Sequence, residues 1–248
     1  MAMEYRNPSH PNHELEMKKY LKPYTCDGCK ETGFGPRYRC EKCDFDLHQA
    51  CMFPQMSSSS HEFFLGSIFK FFRTPPRACH DKCRRMCDAC IKPITGFVYH
   101  CEKDDLDLHP CCRNLNRSYR IEDVEFNLHK KVRGKCLWCN KKNIKGSSND
   151  NGWSYISTCE KYHVHVACVT QMALEEWHKS GGDCIADQDQ PLALENVNLN
   201  EIRARGRGDG GNKFWRIFKV FIKTIVSIVL GDPTTILASL FVELIAPP

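Results

Sequence analysis

The 248-residue sequence predicts a string of small α+β modules, built from short strands and metal-binding knuckles, that ends in a helical tail. Three observations predict it. The 17 cysteines and 11 histidines are far more than an average chain carries, and they cluster instead of scattering. The clusters repeat: CDGC at 26–29 returns as CDAC at 87–90, and YRCEKCDFDLHQAC at 38–51 returns as YHCEKDDLDLHPCC at 99–112, at the same offset of 61 residues. A third, weaker copy opens with CLWC at 136–139 and closes with CEKYHVHVAC at 159–168.

The first residues, MAMEYRNPSHPNH, have neither the apolar run of a signal peptide nor the Arg/Ser richness of a transit peptide. That points to the cytoplasm or nucleus and away from secretion. Thiols stay reduced there, and an odd cysteine total fits a disulfide framework poorly, so short Cys pairs interleaved with His read as ligands of Zn2+. A net charge of +5 marks neither a dedicated DNA binder nor an acidic scaffold.

In the first copy, residues 10–61, the donors are His13, Cys26, Cys29, Cys40, Cys43, His48, Cys51 and His61, enough for two tetrahedral ions. Each Cys-x-x-Cys pair bends the chain so that both thiolates face one ion, and two such knuckles alternating with the other donors make cross-braced zinc sites. The second copy, 61–116, keeps Cys87, Cys90, Cys101, His109 and Cys112, carries Asp104 where the first has Cys43, and adds Cys111. Its expected site lies around Cys87, Cys90 and His109, with a looser one around Cys101 and Cys112. Cys79, His80 and Cys83 are spare donors ahead of it. The third copy, 126–178, keeps Cys136, Cys139, Cys159, His165 and Cys168, with His163 in place of a second cysteine and His129 upstream. These donors suit three to six zinc ions per chain. Cys79, Cys83 and Cys184 also read as plain thiols, and His10, His100 and His178 as surface or packing histidines.

Beside the ligands run short β-type segments, PRYRC, GFVYHC and WSYISTC, separated by loop-like stretches such as PQMSSSS and KKNIKGSSNDNG. Modules of roughly 40 to 60 residues have thin cores and lean on metal for stability. The fold class is therefore small zinc-stabilised α+β modules in tandem, plus a helical C-terminal tail.

CDGC, CDFDLHQAC and the order His, Cys-x-x-Cys, Cys-x-x-Cys-x4-His-x-x-Cys resemble the plant cysteine/histidine-rich divergent C-one (DC-one) zinc domain family, relatives of the lipid-binding zinc domains of protein kinase C. GFVYHC, DLDLHPCC, GWSY and HVHVAC resemble later repeats of the same proteins, so the likeness spans residues 10–180. It implies that His13, Cys40, Cys43 and Cys51 hold one ion and that Cys26, Cys29 and His48 hold the other. Ser59 stands where the protein kinase C type has its closing cysteine, so His61 is the candidate to complete the second set, and it is equally the natural first histidine of the second copy.

Function follows less directly. Tandem zinc modules suit a non-enzymatic protein-interaction adaptor in intracellular signalling, with Phe34, Tyr38, Phe97 and Tyr99 either as candidate anchors for unidentified protein partners or, Tyr38 and Tyr99 above all, as fillers of each module's small core. Diacylglycerol sensing is disfavoured, because KETGFGPRYR between the first two knuckles is shorter than the lipid-binding relatives require and lacks their Gln-Gly. Nucleic-acid or chromatin binding is a weaker alternative resting on KKVRGK and KKNIK near Trp138 and Trp153. Catalysis finds no phosphate loop, nucleophile elbow or carboxylate pair, and Asp183 beside Cys184 has the wrong sign to support a thiolate.

After a polar linker at 181–212, the tail at 213–246 is apolar and basic. Lys213, Arg216, Lys219 and Lys223 fall on one side of a helix and Phe214, Trp215, Phe218, Phe221, Ile222 and Ile225 cover much of the rest. That is the pattern of a helix lying on an anionic membrane surface. GDPTT then breaks it before ILASLFVELIA, and neither part has the roughly 20 apolar residues of a spanning helix. Packing of the tail on the modules is the alternative.

Overall fold

The computed structural model describes residues 4–20, 22–57, 59–77, 84–130, 134–144, 152–179 and 212–231. The linker, the segment ILASLFVELIA, the cluster Cys79, His80 and Cys83, and Cys184 lie outside the described residues.

Three four-stranded antiparallel sheets follow one another along the chain. The first has the order β1 (Glu4–Asn7), β2 (His10–Lys18), β5 (Arg37–Cys40), β6 (Phe45–Leu47), with a small hairpin of β3 (Pro23–Thr25) and β4 (Thr32–Phe34) beside it. The second runs β7 (Ser59–His61), β8 (Phe64–Phe72), β9 (Val98–Cys101), β10 (Leu106–Leu108), and the third β11 (Ser118–Ile121), β12 (Val124–His129), β13 (Ser154–Ser157), β14 (His163–His165). A helix follows each sheet: α1 (Gln49–Met52), α2 (Pro110–Arg113) and the longer α3 (Val166–Lys179).

Register makes the three sheets comparable residue by residue. Met17 pairs with Tyr38, Phe71 with Tyr99 and Leu128 with Tyr155, so these pairs are equivalent. Two positions earlier, Leu15, Phe69 and Phe126 form the buried inner row, as period-two alternation requires. The knuckles also match: Cys26 N–H donates to Glu31 O, Cys87 N–H to Lys92 O and Cys136 N–H to Lys141 O at 2.9–3.0 Å. Each turn closes through a residue in the left-handed region, Lys30, Ile91 or Asn140.

The modules are joined by a repeated contact. Phe97 N–H donates to Gly28 O and Trp153 N–H to Ala89 O, both at 2.9 Å, so each knuckle seats the residue after a glycine of the next module. The approach is close enough that a Cβ on Gly28 would lie 2.7 Å from the Phe97 ring. Tyrosines add a second tie, with Gln55 N–H donating to the Tyr99 hydroxyl and the Tyr155 hydroxyl to Asn116 O.

The described start of the tail forms helix α4 (Asn212–Leu230), and from Ile217 onward most of its apolar side chains are buried. Phe218, Phe221, Ile222, Ile225 and Val226 are buried, Phe221 stacks on Phe126 at 3.9 Å, and Phe218 stacks on Tyr162 at 4.9 Å. Lys223 is buried too, and Arg216 reaches Glu122 at 2.6 Å. Residues 216–230 of the tail thus pack their apolar side chains against the modules. No described helix is long and apolar enough to cross a membrane.

Candidate metal centres

Among the described residues, four groups of Cys and His bring one donor atom each to within 4.8 Å of the others: His10, His13, Cys40 and Cys43; Cys26, Cys29, His48 and Cys51; Cys87, Cys90, His109 and Cys112; Cys136, Cys139, His165 and Cys168. In the last three, a knuckle supplies two thiols while the strand end and first helical turn supply His and Cys three residues apart, on one side of the turn. The histidines present Nδ1: His48 to Cys29, His109 to Cys90 and His165 to Cys139, each at 3.3 Å. A tetrahedral zinc site places N and S donors about 3.6 Å apart. The donor sets fit zinc by both chemistry and spacing.

Charge supports the fit. Burial resists ionisation of Cys26, yet the thiols of Cys29 and Cys51 and the His48 ring hold it well below the ordinary range. The Cys112 and Cys87 thiols do the same for Cys90, and the Cys168 thiol chiefly brings Cys136 down to about 3. The partner thiols move the other way, Cys51 through burial and Cys112 through Cys87 and Cys90. Several thiolates this close repel one another, and a dication between them allows all to ionise.

The donor order in the first module is cross-braced, but the partition differs from the one the resemblance implied. Cys51 joins Cys26, Cys29 and His48, because its helical turn carries it beside His48. Its expected place with His13, Cys40 and Cys43 goes to His10, whose ring also stacks on Phe45 at 4.5 Å. His10 is thus a candidate ligand and not a packing histidine. The β1–β2 pairing shifts register between Tyr5 and Asn7, and this break in alternation lets residues three apart on a strand meet at one point. His61 is no ligand here. It is buried, with Nε2 against Leu115 O at 2.9 Å, Nδ1 accepting from Phe63 N–H at 3.0 Å, and its ring against Trp153.

In the second module the looser site around Cys101 is absent among the described residues, and Cys112 belongs to the well-made one. Asp104 accepts from Ser67 Oγ at 2.5 Å and from the Cys101 thiol at 3.6 Å. Cys111 is buried on α2 outside the donor set. In the third module, register puts Ser157 where Cys40 stands. Cys159 is consequently exposed in the following turn, facing Ser157 Oγ at 3.2 Å. His129 is exposed on β12, and His163 is buried on β14 against the His165 ring, in neither case within a donor cluster.

The candidate anchors are corrected as well. Phe34, Phe97 and Tyr99 are buried and Tyr38 is half-buried against Phe53. Trp153 is interior and Lys130 lies over the Phe64 ring, which removes Trp153 from any nucleic-acid surface.

Residues 8–52 match the family model of the C1 domain. The first module is of the C1 type. With the four donor sets, that makes this a zinc-binding domain protein whose modules stand in tandem. The chain is similar to probable nucleoredoxin 1 of Arabidopsis thaliana, 50% identical over 42 residues, which is 17% of this chain and 7% of that protein. It is also similar to diacylglycerol kinase theta of Homo sapiens, 28% identical over 104 residues, which is 41% of this chain and 11% of that protein. The chain therefore spans a small part of the length of these relatives. No solved structure matches it.

Proposed function

We propose that the protein is a non-enzymatic adaptor of the plant divergent C-one type, an array of zinc modules that presents a docking face to partner proteins in signalling within the cytoplasm or nucleus. The observation that carries this reading is the leading face of the first module. In the second and third modules the equivalent face is an interface, where Phe97 and Trp153 meet the preceding knuckle and Phe71 and Leu128 are buried. In the first module the same face has Pro36, which has no N–H to donate, and leaves Met17 49% and Phe53 47% exposed around Tyr38. An apolar surface kept at a position that is elsewhere covered suits a protein partner.

Two further points support the reading. Each zinc site has four protein donors, the closed arrangement of structural zinc, whereas catalytic zinc keeps a position for water or substrate. The similarity to an Arabidopsis protein agrees with the plant type, and that to a kinase named for diacylglycerol agrees with signalling. Lipid sensing itself is disfavoured by the short KETGFGPRYR segment. The test is affinity capture from plant cells with the full chain and with Met17→Asp/Phe53→Asp, at equal zinc content. The adaptor reading expects a reproducible partner set that the double variant loses; identical sets from both proteins contradict it.

A further inference from the structure

We infer that Glu31, a residue of the first module, positions His109, a zinc ligand of the second, so that metal binding in the second module draws on the first. The Glu31 backbone belongs to the first knuckle, where its carbonyl accepts from Cys26 N–H at 3.0 Å. Its place is thereby set by the chain that holds Cys26 and Cys29. Its side chain leaves the module. One carboxylate oxygen accepts from Lys92 Nζ at 2.8 Å, and the other lies 3.6 Å from His109 Nε2.

His109 turns Nδ1 to the donor cluster, so Nε2 carries the proton and donates it to Pro93 O at 3.3 Å, with the Glu31 carboxylate 3.6 Å away. A carboxylate at that nitrogen fixes the plane of a ligating imidazole and raises its basicity. The sister sites differ. His165 Nε2 faces Lys142 O at 3.0 Å, the carbonyl equivalent to Pro93, and no carboxylate is recorded beside it among the described residues. His48 Nε2 is buried with no hydrogen-bond partner among the described residues. Glu31 and Lys92 occupy the same place in successive knuckles, and the carboxylate that meets Lys92 through one oxygen turns the other toward the metal site.

The inference rests on zinc binding in the second module and is independent of the adaptor reading. The test uses the full chain loaded with cadmium-113, whose proton–cadmium correlations to Cys87, Cys90, Cys112 and His109 identify the site. Glu31→Gln is expected to shift that resonance and to speed release of the ion to a chelator about 10- to 100-fold, leaving the signal of the Cys136 site in place. Lys92→Met removes the ion pair but keeps the carboxylate beside His109, and is expected to leave shift and release rate unchanged. The inference is overturned if Glu31→Gln changes neither reading, or if Lys92→Met reproduces its effect, which would make Glu31 only a tie between modules. Should Glu31→Gln not fold, Glu31→Asp, whose shorter side chain withdraws the carboxylate, reads the same shift. No cadmium signal from Cys87, Cys90 and Cys112 in the parent chain would instead count against the metal site itself.

Discussion

In the first module the central strands are tied by His10, His13, Cys40 and Cys43, whereas in the second the same register positions hold Phe64, Ser67, Cys101 and Asp104. The third carries the change further, with Val124 opening its strand where His10 and Phe64 open theirs and Ser157 in the place of Cys40. Where the metal donors leave, packing arrives: Phe64 is buried against Phe69 and Trp153, and Ser67 and Asp104 close on each other by a hydrogen bond. The knuckle site is kept in all three copies. A module of this fold can thus exchange its outer site for aromatic core once a neighbour supplies rings such as Trp153. The first module, whose leading face leaves Met17 and Phe53 about half exposed among the described residues, keeps both sites.

The largest effect should come from breaking the retained site. Cys90→Ser removes a thiolate from the second module's cluster, so that module should lose its zinc, a binding term on the order of 10 kcal/mol, and its ordered amide signals. Cys101→Ser at the exchanged site should leave the zinc content unchanged and cost about 1–3 kcal/mol, read from denaturant midpoints. Equal losses would erase the distinction. Phe64→Ala should come next, at about 3–5 kcal/mol, because it empties the plug that stands in for His10. Ser67→Ala removes one hydrogen bond to Asp104 and should cost about 0.5–1.5 kcal/mol. Smallest is Arg216→Ala, whose partly exposed pair with Glu122 should contribute at most about 1 kcal/mol to thermal stability.

The sequence displays the donors more clearly than their grouping. Knuckle pairs and the His-x-x-Cys endings are local, yet the sequence reading separates His48 from Cys51 and His109 from Cys112, whereas the structure joins both members of each ending, His165 and Cys168 included, in one donor set. Grouping across the sheet depends on register, which composition does not display. His10 was hidden because strand alternation puts residues three apart on opposite faces, and only the shift in the β1–β2 pairing reunites it with His13. The spacing in His10-Pro11-Asn12-His13 was the available signal. Cys159 was misplaced for the same reason, since Ser157 and not a cysteine aligns with Cys40. Helix α4 was legible as a helix, but its cover was not, because an apolar helix suits a membrane and a protein interior equally until Phe126 and Tyr162 are found against it.

Zinc stoichiometry, measured by native mass spectrometry of the purified full chain beside its His13→Ala/Cys43→Ser variant, tests the central claim most directly. Four zinc ions per chain, falling to three in the variant, is the predicted result. Two or fewer ions in the parent chain, or a count that does not fall when His13 and Cys43 are replaced, would contradict it.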